Sequence, residues 1–377
     1  MNLRRIGAMA RKETLHVIRD PRSIGMGIAI PVILLFLFGY ALSLDVEDVP
    51  LIVWDQSGTA LSREFTQEFI GSRYFKFVRP ARSYRDVVLS IDTRRALAGL
   101  VIPRDFAAQV DAAQPVRVQW IVDGSDSNTA SIATGYAKRV SQSYSQKLVL
   151  EEMQRHFSRP FLPPLDLRAR VWFNADLESR NYIVPGLIAV IMMVIAALLT
   201  SLTVAREWET GTMEQLISTP VKSHEMYIGK LIPYFAIGMF DVLIAVLMGE
   251  FLFHVPLRGS VPLLFAMAGT FLLGALSMGL LISIATRKQL LANQVALLAT
   301  FVPAFLLSGF AFPIENMPPV VQGITYLVPA RFLVTILKNI YLKGTGLEVF
   351  FPEFVFLVIF TLAMAGLSIK LLRRKLN

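Results

Sequence analysis

Residues 205–220 form a short polar link between two long apolar runs and are the most informative segment of the chain. Glu207, Gly211 and Glu214 are four and three residues apart, so a helix here places all three along one face. On that face Gly211 would let another backbone come close, and Pro220 would end the helix. Such a face suits docking on a polar partner, although a solvated connecting helix accounts for the same pattern. Asp241 is a second candidate, because it is the ionisable residue deepest within an apolar run. At the centre of a span such a group costs roughly 2.5–3.5 kcal/mol. Asp241 would line a translocation path, take part in proton coupling or, most simply, bond a hydroxyl of a neighbouring helix. Glu250 and His254 lie near the outer end of the same run and mark an interface. Phe301, Phe305, Phe310 and Phe312 would line an apolar route for amphipathic molecules or face lipid.

Covalent and metal chemistry find little support. There is no phosphate-cradling GxxxxGK[ST] loop, no HExxH and no GxSxG, and His16, His156, His224 and His254 are scattered without metal-ligand spacing. Asp123, Ser125 and Asp126 read as a solvated turn. The absence of cysteine excludes disulfides, thiolate catalysis and cysteine-ligated metals. No catalytic residue, metal site or cofactor is expected in this chain.

The elements that position these residues are membrane spans. The 377 residues are 54% hydrophobic and 17% charged, with a mean hydropathy of +0.54, too apolar for an ordinary soluble protein. Crossing a hydrocarbon core takes roughly 20 apolar residues in a helix. Runs of that length lie at 24–44, 182–205, 226–253, 261–286, 290–312 and 354–372, which predicts six spans. The net charge of +9 gathers beside these runs, which argues for contact with lipid headgroups and against nucleic acid. Arg4, Arg5, Arg11, Lys12, Arg19 and Arg22 precede the first run, and Lys370, Arg373, Arg374 and Lys375 follow the last. Both termini are therefore expected in the cytoplasm, with Arg287 and Lys288 in an inner loop. Arg331, Lys338 and Lys343 run against this count.

Residues 1–23 begin too basic, and the apolar run after them ends too acidic at Asp45, Glu47 and Asp48, for a cleaved signal peptide. Leu3, Ile6, Leu15 and Ile18 can share the apolar face of an interfacial helix, which Asp20-Pro21 would stop. A merely basic tail is the alternative. Residues 45–179 have the composition of a soluble insertion on the outer side. Strands are expected at 51–54, 75–78, 97–102 and 116–122, and helices at 61–70 and 84–91. A longer helix over 129–156 carries Ile132, Tyr136, Val140 and Tyr144 at helical spacing, and Pro160, Pro163 and Pro164 end it. The fold class is therefore an all-α bundle of six spans with an inserted α/β extracytoplasmic domain.

The link reads RExxxGTxExLxxxP from Arg206 to Pro220, and in this it resembles the ABC-2 type permeases. Lys12-Glu13 with Arg19-Asp20-Pro21-Arg22 is similar to that family's interfacial connecting helix. The stretch 312–318 and the stretch 326–332 are similar to its region after the fifth span. The resemblance implies that 205–220 is a coupling helix docking in a cleft of a separate ATPase subunit, with Arg206, Glu207, Glu209, Gly211, Thr212 and Glu214 as contacts. It also implies a segment 313–345 that re-enters the outer leaflet, carrying Pro313, Glu315, Pro318, Pro329 and Arg331, which would account for cations outside. The partners implied are an ABC ATPase that binds ATP and magnesium, a second permease and membrane lipid. The large external domain resembles the multidrug-export branch, which usually works with a periplasmic adaptor. The expected setting is a bacterial inner membrane. Two rival readings are a membrane-anchored sensor or assembly protein whose external domain binds a ligand, and an ion-driven transporter using Asp241.

Overall fold

A computed structural model describes residues 2–20, 25–41, 48–112, 114–156, 172–174 and 178–376. The chain divides into two compact units, one of residues 1–44 with 170–377 and one of residues 45–169.

The helical unit begins with α1 (Leu3–Arg19), followed by a π-helical turn and α2 (Ile30–Ala41). After the inserted unit come α7 (Ser179–Ser201), the short α8 (Thr203–Glu209) and α9 (Thr212–Ile217), then α10 (Ser223–Leu247), α11 (Val261–Thr286) and α12 (Gln289–Leu307). The chain ends with α13 (Pro319–Thr325), α14 (Pro329–Lys338) and α15 (Phe351–Leu376). Among the described residues, five helices are long and apolar enough to cross a membrane: Ser179–Glu209, Ser223–Leu252, Val261–Thr286, Gln289–Leu307 and Phe351–Lys375. A sixth is reached only if the pair Pro319–Thr325 and Pro329–Lys343, bent by 87°, is one broken span. The expected first span, 24–44, appears as a shorter apolar helix, Gly27–Tyr40, and the rest of it lies partly outside the described residues, as do Pro21 and Arg22.

Burial sorts the helices. The apolar window of Ser179–Glu209 is 94% buried, whereas those of Gln289–Leu307 and Phe351–Lys375 are 22% and 17% buried. A helix apolar on every side and enclosed by its neighbours is a bundle centre, and apolar helices exposed on one side suit contact with lipid. Close approach around the centre relies on small residues and hydroxyls. Thr200 Oγ1 donates across to Leu276 O at 2.8 Å, and Ser368 Oγ on α15 donates to Ser277 O at 2.9 Å. A Cβ on Gly279 would lie 2.8 Å from the Cα of Ala197, and closer still to that residue's backbone oxygen and to Thr200 Oγ1.

The inserted unit contains β1 (Val49–Asp55), α3 (Ala60–Ile70), β2 (Phe75–Pro80), α4 (Tyr84–Asp92), β3 (Ala98–Ile102), α5 (Phe106–Asp111), β4 (Gln119–Val122) and α6 (Ser127–His156). The sheet order is β2-β1-β3-β4, with β1 parallel to β2 and β3, and β4 antiparallel to β3. Period-two alternation sends Leu51 and Val53 to one face, with Phe65 and Phe69 of α3 and Ala133, Ala137, Val140 and Tyr144 of α6. Ile52 goes to the other face with Val87 of α4. The stripe on α6 thus differs from the expected one: Ala133 and Ala137 replace Ile132 as buried positions, and Tyr136 stacks on Tyr74 at 4.2 Å. Small side chains let the helix lie close to the sheet. Strand β4 starts at Gln119 rather than at 116, and Pro160, Pro163 and Pro164 fall outside the described residues.

Arg79 grips Asp86 through paired bonds of 2.8 and 2.5 Å. That grip, with a further bond from Arg82 N, holds the Asp86 carboxyl at about 2, below the ordinary carboxylate range. Because the folded value lies below the unfolded one of about 4, the pair contributes stability above that pH and loses it as pH falls through 2. Thermal melting between pH 5 and pH 2 is therefore expected to show the wild type more stable than Asp86→Asn at pH 5, with the difference closing by pH 2.

Candidate functional site

Helix α1 carries its buried face on Ile6, Met9, Glu13 and Val17, a spacing of three and four residues. Of the expected apolar face only Ile6 is buried within the chain, and Leu3, Leu15 and Ile18 are 75%, 44% and 62% exposed, as side chains turned toward lipid would be. The buried stripe is set by its partner: α1 packs on α10, where Gly229 admits Met9 and Lys230 pairs with Glu13.

Lys230 is 1% exposed, and its Nζ lies 2.7 Å from Glu13 Oε1 and 3.0 Å from Glu207 Oε1. Lys12 Nζ reaches the same Glu207 oxygen at 2.7 Å, and Tyr234 donates its hydroxyl to Glu13 Oε2 at 3.5 Å. Two cations thus face two carboxylates, the arrangement that lets charge remain in a dry place. The cluster joins α1, α8 and α10 at one point. Beside it, Glu225 accepts from the backbone N–H of Asn2 at 2.7 Å and of Lys222 at 3.2 Å, and Arg5 lies 3.7 Å away and also donates to Pro220 O.

The link 205–220 is not the single helix expected. Helix α8 ends at Glu209, Gly211 has φ of +72°, and α9 restarts at Thr212. A left-handed residue breaks the face that would have aligned Glu207 with Glu214, and glycine is the residue that adopts it at least cost. Gly211 accordingly serves the turn; among the described residues no atom lies within 4 Å of where its Cβ would be, so none of them makes the expected close backbone approach.

The predicted contact residues divide into two sets. Arg206 bonds Asp20 at 3.0 Å and Gln289 Oε1 at 3.3 Å, Glu207 is 6% exposed inside the charge cluster, and Glu209 accepts from Gln289 N at 2.9 Å. These three hold the link against the bundle. Glu214 projects from α9 exposed, with Thr212 half-buried beside it. Ser283 Oγ accepts the backbone N–H groups of Val204 and Ala205 at 3.0 and 2.9 Å, and Arg287 stacks on Trp208 at 4.6 Å. Ser283, Gln289 and Lys230 lie outside the residues that the sequence pattern singles out. Lys230 does carry a signal, since it stands inside the apolar run 226–253.

Asp241 and the phenylalanines are not brought together. Asp241 lines an apolar cleft among α2, α7, α10 and α11, and neither carboxylate oxygen has a hydrogen-bond partner among the described residues, so the expected bond to a neighbouring hydroxyl is not made there. Phe301, Phe305 and Phe310 form a separate row with ring centroids 5.6 and 5.7 Å apart. Phe310 is buried against Gly186, whereas Phe301 and Phe312 are 38% and 56% exposed.

The segment after α12 contains a 3-10 turn at Ile314–Asn316, then α13 and α14. Pro313 precedes that turn, Pro318 and Pro329 stand at the starts of α13 and α14, and Glu315 lies in the turn itself. Arg331 lies 3.8 Å from the Tyr326 ring and donates to Thr325 Oγ1. Lys338 donates to Gly309 O at 2.9 Å while its Nζ stands 3.3 Å from the Tyr182 ring centroid. These two cations are held by carbonyls, hydroxyls and rings.

Residues 21–370 match the family described as ABC-2 family transporter protein. The chain is 38% identical to the probable multidrug ABC transporter permease YbhS of Escherichia coli (strain K12), over 100% of this chain and 99% of that protein. It is 32% identical to the probable multidrug ABC transporter permease YbhR of the same organism, over 98% and 99%. It is 27% identical to the inner membrane transport permease YhhJ, also of that strain, over 86% and 84%. With a family match over nearly its whole length, which includes the link that the buried charge cluster anchors, this chain belongs to the ABC-2 family of transporter permeases.

Proposed function

We propose that the chain is the membrane subunit of an exporter whose ATP hydrolysis, with its ATP and magnesium, resides in a separate ABC ATPase subunit. The observation that carries this reading is the split of the link: α8 is bound into the bundle through Glu207, Arg206 and Glu209, while α9 presents Glu214 outward. A partner pressing on α9 would have its motion passed through α8 and Lys230 to α1 and α10 together. A rigid joint of this kind suits alternating access, in which helix bundles rock between two packings.

On this reading the permease pairs with itself or a sister permease, two ATPase subunits bind α9 and its counterpart, and both termini are cytoplasmic. The inner membrane is the setting, and the unit 45–169 faces the periplasm, where an adaptor protein is its expected neighbour. The bent pair α13 and α14 re-enters the outer leaflet. The names of the relatives support drugs and similar amphipathic molecules as cargo.

The test is co-purification of the ATPase subunit with the tagged permease in mild detergent. Glu214→Arg is expected to weaken ATPase association roughly tenfold or more, because it reverses charge at an exposed contact, and to leave the melting temperature of the permease unchanged. If ATPase binding and export both persist in Glu214→Arg, α9 is not the coupling element. A permease that never retains an ATPase, under conditions that preserve related complexes, would favour the anchored sensor.

A further inference from the structure

Asp241 is 8% exposed, and both of its carboxylate oxygens are buried without a hydrogen-bond partner among the described residues. It is the acidic member of a cleft whose walls include Pro31, Leu35, Ile188, Met192 and Leu272. Tyr234 also lines the cleft, but its hydroxyl is committed to Glu13. No lining residue is basic. The contrast with the other buried acids of the unit is direct: Glu13 and Glu207 face Lys230, and Glu225 receives two backbone N–H groups, whereas Asp241 receives nothing.

From this juxtaposition we infer that the Asp241 cleft is a binding site for an amphiphile with a compact ammonium group, its head on the carboxylate and its tail along the apolar walls. The inference rests on the exporter reading above and names a cargo class for it. A positive group that enters the cleft supplies the partner that the fold withholds, and a charge-assisted bond in a dry site is stronger than one in water. A metal cation fits poorly, because hard cations require about six oxygen ligands and this cleft offers one carboxylate. Among the described residues, no group of three or more His, Cys, Asp or Glu is placed to hold a metal ion. Apolar walls match an alkyl or aryl tail, which gains by leaving water.

The experiment uses the purified full chain in detergent and two fluorescent probes, dansylcadaverine, a monocation at neutral pH, and the alcohol that carries a hydroxyl in place of its amine. Wild type is expected to bind the amine more tightly than the alcohol by fluorescence titration. Asp241→Asn is expected to lose about tenfold to hundredfold in affinity for the amine and to bind the alcohol as the wild type does. Asp241→Glu keeps the preference for the amine. Asn has the shape of Asp and removes an unpaired charge, so a melting temperature at or above that of the wild type shows that the loss is not unfolding. Equal binding of the amine by wild type and Asp241→Asn, or no binding of it by wild type, overturns the inference. ATP-driven uptake of either probe into inverted vesicles holding the permease with its ATPase tests the exporter reading separately. Uptake without an amine preference sinks the Asp241 site alone, whereas amine binding that depends on Asp241 without any ATP-driven uptake keeps the site and sinks the exporter.

Discussion

Lys230→Met is expected to destabilise the helical unit by about 3–5 kcal/mol, the usual cost of removing one partner from a buried ion pair. The side chain is 1% exposed and stands between Glu13 and Glu207, so its loss leaves two carboxylates facing each other with Lys12 as the remaining cation. The double variant Glu13→Gln with Lys230→Met should recover at least half of that loss, because Glu207 then keeps Lys12 and no second buried charge opposes it. Thermal melting of the detergent-purified protein reads both effects, and the coupling between the two substitutions is obtained from the cycle of single and double variants. If the double variant melts no higher than Lys230→Met, the cluster is not held by mutual neutralisation. A consequence for function follows from the same geometry. The link 205–220 should lose its tie to α10 in Lys230→Met while Lys12 still holds it to α1, so ATP hydrolysis in the proposed complex should depend less on the permease even where protein remains folded.

Gly279→Val should be comparably damaging, at about 1–3 kcal/mol or more for overpacking in a tight helix contact. The Cβ alone would overlap the backbone oxygen of Ala197 and stand 2.8 Å from its Cα, and backbone atoms cannot move aside without displacing α7. That helix is the most enclosed element of the unit, and its window is 94% buried, so a displacement there is shared by all of its neighbours. The measurement is again the melting temperature, together with the yield of monodisperse protein. A Gly279→Val variant that melts within error of wild type would show that α7 and α11 pack less tightly than the structure has them.

The two substitutions separate kinds of residue that composition blurs. Gly279 and Gly211 are both glycines in or beside helices. One is required by the absence of a side chain at a crossing, and the other by a backbone angle of +72°. Glu207 and Glu214 are both acids of one motif. One is bound inside the protein and the other is presented to solvent. Substitution of Glu207 therefore tests stability and coupling together, whereas substitution of Glu214 isolates the proposed contact.

Much of this is legible from the order of residues alone. Long apolar runs bounded by charge imply helices that satisfy their own backbone in lipid, and the run 261–286 coincides with its helix to the residue because Pro262 starts that helix and Arg287 closes it. Alternation in 51–54 and the helical spacing in 61–70 and 84–91 mark a sheet flanked by helices, since period two and period 3.6 are properties of the local chain. The RExxxGTxExLxxxP link and the apolar runs are likewise enough to indicate an ABC-2 permease before any coordinates.

What the chain order does not determine is how the helices pair, because pairing depends on contacts between residues far apart in sequence. Lys230 lies 217 positions from Glu13, and no periodicity joins them. That separation is why the pattern of α1 does not reveal the stripe that packs on α10, and why the ion pairing of Glu207 inside the chain is not visible in the motif. The αL turn at Gly211 is hidden for a different reason: a glycine at helical spacing reads equally as a helix residue, and only the backbone angle separates the two. Asp241 likewise carries the expectation of a hydroxyl partner, as most buried carboxylates have one. Tertiary packing alone decides that it has none, because the four helices around it turn only apolar side chains and a committed Tyr234 toward that cleft.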